Sequence, residues 1–274
     1  MRLGVHLPQF GKAAVPGAVE EVAKRAEDLG FDDVWVSDHL VVPAGQRYPA
    51  PYLYDPLMAL AFAAAVTDRI GIGTSVLVAP QYTSPLALAN SLASLDNLSN
   101  GRLTVGAGIG WSAAEYEALG ASFDHRGHRL EEILSLWRTA WRDDPVTHEG
   151  AHYPVRDVRL LPKPAHPIPI WLGGASDAAV NRAMRLADGY HAIGLEPGAA
   201  AEMVRRVRRQ RPEESFTISL RVRWDERTED AMVGEELSEY QSAGIQHLHY
   251  APERGDREAW LAGIERLAGQ VGLG

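Results

Sequence analysis

The feature that most constrains the fold is an alternation of strand and helix patterns that continues from one end of the chain to the other. Short apolar runs such as "LGVHLP", "DVWVSD" and "IPIWLGG" have the length and residue types of buried parallel strands. Each run is followed by a segment with helical periodicity or a helix-start signal. Eight such units in 274 residues predict an α/β protein with a single (β/α)8 TIM barrel. An open, doubly wound sheet is the alternative.

Helix-start signals support this division of the chain. An N-cap residue followed by proline occurs at residues 55–56 and 84–85, and residues 112–115 have the Ser-x-x-Glu spacing of a capping box. The chain is longer between the fourth and fifth strands, where a helix over about Gly127–Trp141 is followed by a polar excursion. We therefore predict one domain over residues 1–274, with an insertion between strands 4 and 5.

Composition narrows the classes of function. The net charge of −9 argues against a non-specific nucleic-acid binder, which would need a basic face. The chain has no cysteine, which excludes disulfides, thiolate catalysis and zinc–thiolate sites. No apolar run reaches the length that spans a membrane, and the first residues lack a signal-peptide pattern. A cytoplasmic enzyme is the simplest expectation.

Polar and small residues follow the predicted strands at the end where TIM barrels carry their active sites. Asp38 and His39 follow the second strand, and a histidine there can act as a general acid or base, or else simply satisfy loop carbonyls. The G-x-G-x-G run at 106–110 is a weak dinucleotide signal, and it leaves room for a planar ligand or for tight packing. Residues Gly173–Ser176 enter a helix N-terminus, where backbone N–H groups can cradle a phosphate.

Two pairs of residues near the end of the chain share a strand face. His247 and His249 would allow a metal pair, but without an HExxH motif or cysteine we predict no metal site. Arg221 and Arg223 need anionic partners if their face is the barrel interior. The arginine cluster over residues 205–211 is interpreted as a solvated helix face, with a docking surface for an anionic ligand tail as the alternative.

Taken together, these segments resemble the luciferase-like monooxygenase superfamily, and within it the branch of coenzyme F420-dependent oxidoreductases most closely. The resemblance lies in "LPQFG", "GFDDVWVSDHL", "IGIGTSVLVAP", "GRLTVGAGIGWSAAEYEALG" and "PKPAHPIPIWLGGAS". It covers roughly residues 1–195, and the last third of the chain matches only in its strand–helix rhythm.

The resemblance implies that the third strand bulges against the ring of a deazaflavin. The bulge would contain a cis peptide bond between Ser75 and Val76. Glycine inside a strand usually marks a bulge or a close approach by another group. Gly71 and Gly73 would then be the residues that allow the strand to bend towards a flat ring.

The resemblance also implies roles for individual side chains. Asp38 would hydrogen-bond the polar edge of the ring, and His39 would donate or accept a proton beside the carbon that exchanges the hydride. The other implied cofactor contacts are Ala107 and Gly108 beside the ring and ribityl chain, Trp111 in the loop that follows, and Gly173, Gly174, Ala175, Ser176 and Gly194 around the phosphate.

The expected activity is hydride transfer between a deazaflavin (coenzyme F420) and a small organic substrate. One alternative is an FMN-dependent luciferase-like monooxygenase that uses reduced flavin and O2, with a partner reductase. A second is a non-catalytic flavin-binding protein. The loop Val41–Tyr54 and the excursion around His148–Tyr153 would cover the substrate, and their tyrosines suit an apolar or aromatic molecule. Many relatives are dimers, so a homodimer is expected.

One departure from the family pattern bears on the substrate. Some sugar-phosphate-oxidising relatives have a glutamate in the loop after the fourth strand. Here that loop reads Gly110-Trp111, and Glu115 lies further along. The departure predicts a different substrate.

Overall fold

The eight predicted barrel strands are all present, and they close into one parallel barrel in the computed structural model of the chain. The structure describes residues 1–46, 48–224, 229–252 and 255–273. Around the barrel the order is β1-β10-β9-β8-β7-β4-β3-β2, while β5 and β6 form a separate two-stranded sheet. The strands are β1 (Arg2–His6), β2 (Asp33–Val36), β3 (Gly71–Leu77), β4 (Leu103–Ala107), β5 (Val146–His148), β6 (Val155–Val158), β7 (Ile170–Gly173), β8 (Gly189–Ile193), β9 (Thr217–Trp224) and β10 (His247–Pro252).

The helices begin where the sequence signals place them. The Asp55 carboxylate accepts hydrogen bonds from the first N–H groups of its helix, and Gly30 adopts a positive φ of 87° just beyond the first helix. The described helices are α1 (Ala18–Asp28), α2 (Pro56–Ala65), α3 (Pro85–Leu98), α4 (Ala113–Ala118), α5 (Arg126–Arg142), α6 (Asp177–Leu186), α7 (Pro197–Arg208), α8 (Asp230–Ala243) and α9 (Arg257–Gln270).

The segment between β4 and β7 holds more structure than a loop. It contains α4, α5 and the antiparallel pair β5–β6, in which Val146 pairs with Val158. The pair lies in the stretch predicted as a polar excursion. Over the described ranges, no helix combines the length and the apolar character needed to cross a bilayer.

Most outward-facing side chains of the barrel strands are aliphatic, with Tyr190, Trp224 and Tyr250 as aromatic exceptions. Val34, Ile72, Val105 and Leu220 are at most 1% exposed and belong to one continuous core with residues of the surrounding helices. Burying each such side chain contributes about 1.5–3 kcal/mol. This apolar layer holds the helices on the strands.

The inward-facing side chains are polar and aromatic. The Trp35 indole stacks on the His249 ring with centroids 5.1 Å apart and on the His191 ring at 5.7 Å. A Cβ on Gly73 would lie 2.5 Å from the Trp35 ring, and a Cβ on Gly71 would lie 2.1 Å from Oδ1 of Asp33. These two glycines therefore make room for groups of the protein itself, which corrects the prediction that they serve a bound ring.

Candidate functional site

A cavity of about 560 Å³ opens at the carboxyl ends of the barrel strands. The sequence analysis predicts the catalytic residues at this end of the barrel. The cavity brings together residues that follow four different strands in the chain. The predicted site residues among its lining are Asp38, His39, Ser75, Val76, Trp111 and Gly194.

His39 is held by a carboxylate that the sequence analysis did not assign to the site. Its Nδ1 lies 3.0 and 3.1 Å from the two carboxylate oxygens of Glu115, and the Glu115 side chain is only 4% exposed. Gln46 donates a further hydrogen bond of 2.9 Å to the same carboxylate. Because a carboxylate accepts, Nδ1 of His39 carries the proton in the neutral ring and Nε2 has the free lone pair. His39 is therefore oriented as a general acid or base.

In the sequence, Glu115 is the last residue of the capping-box pattern at 112–115, so its side chain was expected at the helix cap and not in the site. Ser112 does accept a hydrogen bond from the Glu115 N–H, as the capping box predicts, but the Glu115 side chain turns to His39 and Gln46 instead of returning to the cap. A glutamate carboxylate is thus present beside His39 after all. This carboxylate comes from α4 and not from the Gly110-Trp111 loop, and the expected difference in substrate stays a prediction.

The Asp38 carboxylate is buried, and both of its oxygens accept hydrogen bonds from groups of the protein. Oδ2 accepts from the Val78 N–H at 2.7 Å, and Oδ1 accepts from the Tyr82 hydroxyl at 3.3 Å. Burial raises the pKa of Asp38 to about 7, against the opposing effect of the Val78 N–H. The group therefore changes charge near neutral pH. Its bond to the edge of a cofactor ring remains a prediction.

The Ser75–Val76 peptide bond is cis, which confirms that prediction. The Val76 side chain lies over two glycines: a Cβ on Gly108 would be 2.8 Å from its Cγ2, and a Cβ on Gly173 would be 2.9 Å from its Cγ1. The β3–β4 register also shifts between Thr74 and Leu77. Gly173 of β7 and Gly108, directly after β4, thus make space for Val76 in the bulge of β3, and their contact with a cofactor stays a prediction.

The other predicted cofactor residues lie outside the cavity lining. Ala107 is fully buried in the apolar core, and its place beside the ring stays a prediction. Gly174, Ala175 and Ser176 are exposed at the end of β7, where the Ser176 hydroxyl accepts from the Ala179 N–H and caps α6. Their contact with a phosphate also stays a prediction.

A second cavity of about 890 Å³ adjoins the first. Its walls include the aromatic rings of Phe10 and Trp260 and the side chain of Lys12. Ala50 and Pro51 line it from the loop predicted to cover the substrate; Arg47 of that loop lies outside the described residues. The residues common to both cavities are Tyr48, Arg221 and Arg223.

Arg221 places a positive charge between the two cavities. Its Nη1 donates to the Ser37 hydroxyl and to the Ser75 carbonyl, both at 3.0 Å. No carboxylate in the described ranges lies within 4.0 Å of Arg221, and burial lowers its pKa. A buried cation without an anionic neighbour is costly unless a ligand supplies one. Arg221 is therefore a candidate contact for an anionic group.

Among the remaining candidates, His247 and arginines of the 205–211 cluster have partners within the protein, whereas neither ring nitrogen of His249 has a hydrogen-bond partner among the described atoms. His247 bonds to Ser219 and Asp33, and the described part of the chain holds no group of three or more residues suited to a metal ion. In the arginine cluster, Arg206 pairs with Asp177, and Arg208 donates to backbone carbonyls at the end of its own helix.

A family profile described as "Luciferase-like monooxygenase" matches residues 1–268, and the chain belongs to this family. Among curated relatives, the F420-dependent glucose-6-phosphate dehydrogenase of Amycolatopsis mediterranei is 35% identical over 188 residues, covering 66% of this chain and 54% of the relative. The protein of the same name from Kineococcus radiotolerans is 33% identical over 178 residues, covering 64% and 52%. The chain spans about half the length of the curated relatives it matches.

Solved structures share the fold. An F420-dependent secondary alcohol dehydrogenase in complex with an F420–acetone adduct superimposes with a TM-score of 0.80 and 18% identity, covering 98% of each chain. The monooxygenase RslO1 from Streptomyces bottropensis gives a TM-score of 0.76 at 22% identity, covering 99% of this chain and 98% of the other. At these identities the likeness supports the barrel fold alone.

Proposed function

We propose that the protein is an oxidoreductase that transfers a hydride between coenzyme F420 and a small organic substrate. The observation that carries the proposal is the His39–Glu115 pair at the mouth of the barrel, in the cavity that Ser75 and Val76 also line. Two curated relatives named as F420-dependent dehydrogenases support the choice of cofactor. When bound, F420 would supply a ring carbon that accepts or gives up the hydride.

The residues of the smaller cavity fit a flat ring with a polar edge. Val76, Trp111 and Ile193 offer apolar surface, while Ser37 and Ser75 offer hydroxyl groups. His39 would hold or move the proton that accompanies oxidation or reduction of the substrate, with Glu115 fixing which ring nitrogen faces the cavity.

The larger cavity fits the substrate. Phe10 and Trp260 suit an apolar or aromatic body, and Lys12 and Arg221 suit an acidic group such as a carboxylate or phosphate. We therefore propose a substrate that carries both features. Arg223 and Tyr48 line both cavities. They would contact the substrate on the side that faces the cofactor ring.

The test is equilibrium binding of F420 and FMN, followed by F420 turnover with a panel of alcohols, aldehydes and sugar phosphates. We expect F420 to bind more tightly than FMN. His39→Ala should lower turnover by about 100- to 10,000-fold with little change in cofactor affinity. His166→Ala, at an exposed histidine before β7 and so at the opposite end of the barrel from the cavity, is the matched control and should leave turnover unchanged.

The family description favours a second candidate, an FMN-dependent monooxygenase that uses reduced flavin and O2. Tight binding of FMN without binding of F420 would establish that candidate and reject ours. A third candidate is a non-catalytic flavin-binding protein. It would be established if the protein binds a cofactor but His39→Ala changes no measurable reaction. We further propose a single cytoplasmic domain over residues 1–274 that works as a homodimer, with a separate reductase if FMN is the cofactor.

A further inference from the structure

A line of hydrogen bonds crosses the barrel interior from the first residues of the strands to the cavity. Asp33 at the start of β2 lies 2.9 Å from Nε2 of His247, and Nδ1 of His247 lies 2.9 Å from the Ser219 hydroxyl. The Ser219 hydroxyl is also 2.9 Å from Nδ1 of His191, whose Nε2 lies 2.8 Å from the Ser75 hydroxyl. We call these five residues the interior relay. It ends on the residue whose peptide bond is cis.

The direction of each hydrogen bond follows from the charged end. Arg2 donates to Oδ1 of Asp33 at 2.7 Å, which favours the ionised carboxylate. An ionised carboxylate only accepts, so a neutral His247 ring carries its proton on Nε2 and accepts a hydrogen bond from the Ser219 hydroxyl on Nδ1. By the same logic His191 donates from Nδ1 to Ser219 and accepts from Ser75 on Nε2. Each member then has one tautomer or rotamer.

The surroundings hold the two imidazoles in place and keep His191 neutral. The His191 ring stacks on the Trp35 indole at 14° to its plane, and the His247 ring lies 5.1 Å from the same indole. Both histidines are at most 1% exposed. Burial, with the neighbouring His247 and Arg221, lowers the pKa of His191 to about 3, so the ring stays neutral at physiological pH.

We propose that the interior relay is a positioning device that turns the Ser75 hydroxyl proton away from the cavity, so that Ser75 presents an acceptor oxygen to an N–H or O–H group of the bound molecule. Flavin and deazaflavin rings both carry such a donor at their pyrimidine edge. The identity of the ligand rests on the proposed function, whereas the direction of the relay does not. Asp33, at the opposite end of β2 from the cavity, becomes a determinant of binding.

The decisive variant is Asp33→Asn, which keeps the shape of the side chain. Because Arg2 only donates, the amide oxygen should face Arg2 and the amide N–H should point to His247. Every bond of the relay then reverses, and Ser75 turns its proton towards the cavity. Asp96→Asn is the matched control, because Asp96 is a buried carboxylate that accepts from Ala165 outside the relay.

The first readout needs no cofactor. In ¹⁵N-histidine NMR of the ligand-free protein, with His191 assigned through His191→Asn, we expect the proton on Nδ1 in the unchanged protein and in Asp96→Asn. In Asp33→Asn it should move to Nε2. A proton on Nε2 of His191 in the unchanged protein, or no change in Asp33→Asn, would overturn the proposal. If Asp33→Asn does not fold, Ser219→Ala interrupts the relay at its centre, and an unaltered His191 tautomer there would likewise reject it.

The second readout is the dissociation constant of F420, and of FMN, by fluorescence titration. Asp33→Asn and Ser75→Ala should each weaken binding by about tenfold, the size expected when a buried hydrogen bond is lost. Since Asp33 acts through Ser75, the double variant should bind no more weakly than Ser75→Ala alone. Additive losses would contradict the relay. If neither cofactor binds the unchanged protein, the proposed function fails, while the tautomer measurement still decides this inference.

Discussion

The inside and the outside of the barrel are built on opposite principles, although the same strands form both. Outward-facing residues such as Val34, Ile72 and Leu220 join the helices in an apolar core. Inward-facing residues are rings, hydroxyls and glycines, of which Trp35, His191 and Ser219 are examples. The outer layer needs only the right volume and apolar character. The inner layer needs particular hydrogen-bond partners, and it leads to the candidate site.

The inner layer holds more unpaired polar atoms than the outer layer, where the Tyr250 hydroxyl is one such atom among the described strand residues. The inner layer leaves both ring nitrogens of His249 and the indole nitrogen of Trp35 without a hydrogen-bond partner among the described atoms. Unpaired buried polar groups cost stability. Stability is thus provided mainly by the outer layer, while the inner layer retains polar groups that a purely structural core would replace.

The largest expected difference between the inner and outer layers comes from replacing one buried tryptophan in each. Trp35→Ala and Trp137→Ala should each lower the free energy of unfolding by about 3–5 kcal/mol, because both rings are fully buried. Only Trp35→Ala should also weaken F420 binding, since it removes the ring that supports His191. Denaturant unfolding and fluorescence titration measure the two effects, and equal losses of affinity in both variants would abolish the distinction.

A smaller loss of stability is expected when a methyl group is added in the narrow space between Gly73 and the Trp35 ring. Gly73→Ala places a methyl group 2.5 Å from the Trp35 ring and should cost about 1–3 kcal/mol of unfolding free energy. Adding Trp35→Phe should recover part of that cost, because the smaller ring leaves space for the methyl group. Chemical denaturation of the single and double variants gives the coupling. Simple additivity would show that the two residues do not compete for the same space.

The pH dependence of stability should report on Asp38. Its pKa of about 7 in the folded protein is above the ordinary value of 3.8, so the folded state holds the proton more tightly than the unfolded chain. Stability is then greatest below pH 4 for this group and falls as pH rises towards 7, by at most about 1.4 kcal/mol per pH unit. Asp38→Asn should remove this contribution. The free energy of unfolding is measured by urea titration at several pH values between 4.5 and 7. If it changes with pH equally in the unchanged protein and in Asp38→Asn, the prediction is wrong.

The smallest effect has the opposite sign and lies outside the barrel. Gly234 is in α8, and a Cβ there would meet nothing within 4 Å. Gly234→Ala should therefore raise the free energy of unfolding by about 0.5–1 kcal/mol through helix propensity alone. A thermal melt detects the gain, and a loss of stability would mean that the surface of α8 is covered in solution.

Local signals in the sequence were sufficient for the fold. Caps such as Asp55 and Ser84 act over three or four residues, so they can be read without knowing the tertiary structure. The His39–Glu115 pair could not be read in this way, because 76 positions separate the two residues. Gly73 was misinterpreted for a related reason: its neighbour Trp35 comes from another strand, and periodicity does not show which side chain fills the space.

Tyr48, Arg221 and Arg223 form a partition common to both cavities. A ligand that contacts these residues from one cavity therefore also contacts the wall of the other. We therefore expect the two ligands to bind in a compulsory sequence rather than at random. The second ligand, if it arrives first, would occupy the partition in the wrong arrangement and inhibit turnover at high concentration.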